Sequence, residues 1–178
     1  GISQYTEQLI LGLSRIDAGD EFVILESIRN HHRVIEHPRF SVRRVLTPCH
    51  HRFEQFTLPL ELASLGLDVL HSPDFIPPLR VRSRSVITIH DLVFLLYPHF
   101  LTKEAAAYYG QIDQAVQRAD AIIAVSHATK KDIRQLLGVP EHKITVIHEA
   151  ASPIFRPCRS DEITQRVRDR FGIRGDFL

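Results

Sequence analysis

The sequence predicts an α/β fold, a doubly wound and mostly parallel sheet with helices on both faces. Short apolar, β-prone runs recur along the chain, and stretches with helical spacing lie between most of them. In the second half those runs are apolar at nearly every position, the mark of parallel strands covered on both sides. With 178 residues, 44% of them hydrophobic, the chain is long enough to bury one sizeable core.

The elements follow in order. Tyr5, Leu9, Leu13 and Ile16 recur at helical spacing, and Asp17, Gly19 and Asp20 end that first amphipathic helix. Phe22-Val23-Ile24-Leu25 and Phe40 to Leu46 read as strands separated by a polar loop containing Pro38. A helix is expected from Phe53 to Leu65, stopped by Gly66, before a strand Asp68-Val69-Leu70-His71 closed by Ser72-Pro73. Val86-Ile87-Thr88-Ile89 is a buried-type strand running straight into His90-Asp91. Ala105, Tyr108/Tyr109, Ile112, Ala115/Val116 and Ala119 mark one long helix, leading to the strand Ala121 to Val125. Ser126 caps a helix to about Leu137, ended by Gly138 and Pro140, and Ile144-Thr145-Val146-Ile147 forms another strand. Ser160 opens a last helix with Asp161 and Glu162 in its first turn and Ile163, Val167 and Phe171 aligned.

Composition narrows the function classes. A formal net charge of +1 gives no footprint for nucleic acid, and Arg43-Arg44 and Arg80/Arg82/Arg84 are local basic spots of an ordinary surface. Cys49 and Cys158 are far apart and lack CxxC spacing, which fits a reducing, cytoplasmic setting. No apolar run reaches membrane-spanning length, and Glu7 inside the first helix argues against a signal sequence. The apolar stretch Phe94-Leu95-Leu96-Tyr97 suits core or interdomain packing, with contact at the inner face of the membrane as a second use. The GxGxxG, P-loop and GxSxG patterns do not occur, so sequence offers no ground for a dinucleotide dehydrogenase, an NTPase or a serine hydrolase.

In open α/β sheets ligands lie beyond the carboxyl ends of the strands. The residues at those positions are His71, His90-Asp91, Ser126-His127 and His148-Glu149. His71 alone is read as a structural histidine, because an imidazole commonly satisfies backbone or side-chain partners. His90 pairs a donor/acceptor ring with the adjacent carboxylate of Asp91 at the end of the most apolar strand, a combination suited to proton transfer or hydroxyl binding. Ser126 serves as a helix N-cap and, at the same helix terminus, faces any anionic group that binds there. Cys49-His50-His51 is not read as a metal site, since adjacent side chains seldom converge and no second ligand pair has suitable spacing.

The ordered segments Gly1-Ile2-Ser3-Gln4-Tyr5, Thr88-Ile89-His90-Asp91, Arg118 to Ser126 and Lys143-Ile144-Thr145-Val146-Ile147 resemble glycosyltransferase family 4, also called group 1. The likeness covers nearly the whole chain, with His71-Ser72-Pro73 and Leu137-Gly138-Val139-Pro140 similar to bacterial members that build polysaccharide or cell-envelope glycans. It implies one Rossmann-like half of a GT-B architecture: residues 1–157 as the N-terminal acceptor-binding domain, its first strand lying ahead of Gly1, and residues 158–178 as a helical connector towards a C-terminal donor-binding domain. It further implies a retaining transfer from a nucleotide diphosphate sugar to a hydroxyl or glycan acceptor, without metal or other cofactor, and an inactive isolated half. By resemblance, Gly1 lies against the donor diphosphate, His90 contacts the transferred sugar, Asp91 orients it or binds acceptor hydroxyls, and Ser126 and Glu149 line the donor or acceptor. Glu149-Ala150-Ala151-Ser152 stands where many relatives have Asn-Gly-Val-Asp, while Phe155 and Pro157 follow the family pattern. Two alternatives stay open, a non-catalytic glycan-binding module and a GT-B-like sugar-nucleotide epimerase.

Overall fold

Parallel strands need crossover connections, and between residues 84 and 146 the chain supplies them with helices. A computed structural model describes residues 1–16, 19–29, 34–48, 53–157 and 160–175. The first helix, α1 (Ile2–Ser14), is followed by two strands, β1 (Phe22–Ser27) and β2 (Phe40–Val45). These pair in parallel from Phe22↔Phe40 to Ser27↔Val45, with the Phe22 and Phe40 rings stacked at 4.6 Å. The Arg39 guanidinium donates to the Ser14 and Ile16 carbonyls and so fastens this pair to the end of α1. Helix α2 (Glu54–Leu62) is tied to the other end of β2, because the Glu61 carboxylate accepts from Leu46 N, Thr47 N and the Thr47 hydroxyl.

The second sheet holds β3 (Val69–Ser72), β4 (Arg84–Ile89), β5 (Ala121–Ala124) and β6 (Ile144–Val146), parallel and in sequential order. The parallel α/β architecture expected from the apolar runs is therefore present, with the six strands among the described residues near the expected positions. The strands are divided over a two-stranded and a four-stranded sheet, where a single sheet was expected. Pairing partners are a tertiary property, which a pattern read strand by strand does not carry.

Helix α3 (Val93–Leu96) and a 3₁₀ turn at Pro98–Phe100 follow β4. Phe94 turns inward, stacking on Phe75 at 5.0 Å and packing on Tyr109 at 4.8 Å, whereas Val93, Leu96 and Tyr97 are exposed. The single long helix expected before β5 is two helices, α4 (Lys103–Tyr109) and α5 (Ile112–Arg118). The break falls at Gly110-Gln111, where glycine has poor helix propensity and the Gln111 backbone and side-chain amides both turn onto the Tyr108 carbonyl. Helix α6 (His127–Leu137) ends on Gly138 at φ 63°, a left-handed position that glycine takes without steric cost.

The core lies between β4, β5 and β6 and helices α5 and α6, with Ile87, Ile89, Ile112, Ala115, Ile122 and Ile133 at its centre. Helix α7 (Asp161–Phe171) has no buried residue, and Ile163 and Phe171 are exposed. No helix among the described residues is long and apolar enough to cross a membrane. Cys49, His50, His51 and Cys158, together with the final Phe177-Leu178, lie outside the described residues.

Candidate functional site

The strand registers bring the carboxyl ends of the second sheet level with one another. Ile89 of β4 sits beside Ala124 of β5, and Ala124 beside Val146 of β6. The residues that follow, His90, Ser126 and Glu149, consequently gather on one rim, the edge where open α/β sheets bind ligands.

His90 is the hub of that rim. Its Nδ1 lies 3.0 Å from Glu149 Oε1, and its Nε2 lies 3.0 Å from the Pro73 carbonyl just beyond β3. The Tyr5 ring from α1 packs against the imidazole at 4.8 Å and nearly perpendicular. The His90 backbone carbonyl accepts from the Thr129 hydroxyl at 3.1 Å. Thr129 N in turn donates to Ser126 Oγ at 3.0 Å, and the two hydroxyls are 2.9 Å apart. With the Thr129 hydrogen spent on His90, the Ser126 hydroxyl is the donor of that second contact. Ser126 is the N-cap of α6, as its position before the helical run implied, and its capping network reaches the backbone of His90.

A second network underlies the ring. Thr88 is fully buried in β4, and its hydroxyl is shared by His71 Nε2 at 2.9 Å and the Tyr5 hydroxyl at 3.3 Å. Burial pushes the His71 imidazole below its ordinary value of 6.5, because the charged ring would lose solvation there. In the folded chain His71 thus stays neutral to lower pH than in the unfolded chain. Its stabilising contribution is fully present above the unfolded value and is lost as pH falls from about 6.5 towards the depressed folded value. We expect urea-unfolding free energy to rise with pH across that window, and His71→Gln to flatten the slope. An unchanged slope in the variant would remove His71 as its origin. Glu61 acts in a separate, more acidic window. Burial raises its carboxyl, but the hydrogen bonds from the Thr47 hydroxyl, Leu46 N and Thr47 N outweigh this and hold it below 4.5.

The other expected site residues are placed as follows. Asp91 is exposed, and its Oδ1 accepts from Val93 N at 3.0 Å, so the carboxylate in contact with the His90 ring is that of Glu149. Gly1 is the exposed N-cap residue of α1, and a Cβ built on it meets nothing within 4 Å. The chain's own packing therefore does not require a glycine there. His148 and His127 face each other at 5.4 Å, and the His148 ring bonds the Val125 carbonyl at 3.2 Å. Tyr5, Thr88 and Thr129 were not among the sequence candidates. The one signal in sequence was Thr88, a hydroxyl inside an otherwise aliphatic strand.

The rim offers an oriented imidazole, a half-exposed carboxylate, and the N-terminus of α6 carrying a serine hydroxyl. Such a set suits hydroxyl-rich ligands and anionic groups, which need directional donors and acceptors. No curated protein matches the chain. The Glycosyltransferase Family 4 description matches residues 1–152, which takes in every residue of this rim, and the chain belongs to that family.

Proposed function

We propose that the chain is the N-terminal, acceptor-side half of a retaining GT-B glycosyltransferase. The full enzyme moves a sugar from a nucleotide diphosphate sugar to a hydroxyl acceptor in glycan or cell-envelope polysaccharide synthesis. The observation that carries this reading is the convergence of His90, Ser126 and Glu149 at the carboxyl ends of β4, β5 and β6, within the family match. His90 is assigned to the transferred sugar and Asp91, exposed beside it, to acceptor hydroxyls. Ser126 at the α6 N-terminus, Gly1 at the α1 N-terminus and Glu149 line the donor or acceptor, where backbone N–H groups and the helix dipole favour phosphate. In this reading charge on the leaving diphosphate is stabilised by such donors and a second domain, without a metal ion.

Residues 1–157 constitute the acceptor-binding domain and residues 158–178 the connector to a donor-binding domain, a use that suits the exposed Ile163 and Phe171 of α7. The enzyme works in the cytoplasm, and the exposed Leu96 and Tyr97 suit interdomain packing first, with contact to a membrane-borne acceptor at the inner face of the membrane as a second use.

The reading is tested on the complete protein by following nucleoside diphosphate release from a panel of nucleotide sugars. Release is expected only when a hydroxyl acceptor is present, and the product glycoside keeps the donor's anomeric configuration by NMR. Turnover of donor alone would point to epimerisation or hydrolysis, and an inverted product would overturn the retaining assignment.

A further inference from the structure

His90 is held between two oxygens. A carbonyl oxygen and an ionised carboxylate oxygen only accept hydrogen bonds, and each lies 3.0 Å from one ring nitrogen. A neutral imidazole has one N–H and one bare nitrogen, so in either tautomer a lone pair would face one of these acceptors. The ring that carries hydrogen on both nitrogens makes both bonds, and the Glu149 carboxylate supplies the compensating charge.

We propose that Glu149 is a positioning residue that holds His90 as a two-donor ring, with Nε2–H anchored on the Pro73 carbonyl and Nδ1–H presented at the rim. The asymmetry of the two bonds gives each a separate role. The Pro73 carbonyl is backbone at the end of β3 and fixes the ring's orientation. Glu149 lies in the loop after β6, with its side chain 51% exposed against 20% for His90, so it is the partner that yields to a ligand. Tyr5 packs against the same ring, and Asp91 spends one oxygen on Val93 N, which leaves Glu149 as the carboxylate bonded to the imidazole. A sugar hydroxyl both donates and accepts, so it can take the Nδ1 hydrogen while giving its own to the displaced carboxylate. This use of the pair rests on the transfer reading; the state of the ring does not.

The test is the long-range ¹H–¹⁵N imidazole spectrum of the ¹⁵N-labelled chain near neutral pH, with the His90 signals assigned by their loss in His90→Gln. Both ring nitrogens of His90 are expected at protonated positions. In Glu149→Gln the carboxamide N–H donates to a bare Nδ1, and the ring is expected to change to the neutral tautomer with hydrogen on Nε2; Glu149→Asp should restore the two-donor signature. The exposed position of Glu149 keeps the fold intact, which each variant's backbone amide spectrum verifies. A neutral His90 in the unsubstituted chain, or a ring state unmoved by Glu149→Gln, overturns the proposal whether or not the complete protein transfers sugar. Failure of transfer with the two-donor ring present removes the functional reading alone.

Discussion

Replacing Ile122 by alanine is expected to destabilise the chain by about 3 kcal/mol, towards the middle of the range for a fully buried isoleucine. Ile122 is 0% exposed in the central region of β5, paired with Ile87 on one side and Ile144 on the other. Parallel strands leave no solvent-facing side for a void to open into, so the lost methyl and methylene contacts are not replaced by water. Domains of this size are stable by only about 5–15 kcal/mol, so the loss is a large fraction of the whole. It should lower the melting temperature by roughly 6–12 °C. Ile163→Ala on the exposed face of α7 is the control and should stay within about 0.5 kcal/mol. Equal losses at the two positions would mean that the core is not centred on the second sheet.

The positions of the strands were legible because buried parallel strands must be apolar almost throughout, and Val86 to Ile89 and Ala121 to Val125 are. The helix α6 was legible at both ends from local chemistry, Ser126 as a cap and Gly138 as a left-handed stop. The division of α4 from α5 was hidden because Ala105 to Ala119 keeps helical spacing across Gly110, and spacing alone does not weigh the amides of Gln111 against the next helical bond. Phe94 was ambiguous for a related reason. An apolar tetrapeptide does not reveal which of its side chains turns inward, and stacking on Phe75 and Tyr109 decides that only in three dimensions.

For the site, topology made the rim legible, since any residue following a parallel strand lies near the ligand edge. What joins the residues there was not legible. Tyr5 reaches Thr88 across 83 positions of sequence, and His90 reaches Glu149 across 59, and such pairs have no local signature. Sequence set Asp91 beside His90 by adjacency, yet successive side chains diverge, and the carboxylate that meets the ring comes from the loop after β6.

The second large effect concerns catalysis. His90→Ala removes the oriented ring while leaving the Thr129 bond to the backbone carbonyl of residue 90 available, so the rim keeps its scaffold. Loss of one preorganised donor from a reaction centre commonly costs about 100- to 1,000-fold in kcat. The decisive measurement is acceptor-dependent nucleoside diphosphate release by the complete protein, run beside its His90→Ala variant. Release is expected to fall by about that factor in a variant that remains folded. Release sustained at the unsubstituted rate in His90→Ala would contradict the assignment of the rim as the reaction centre.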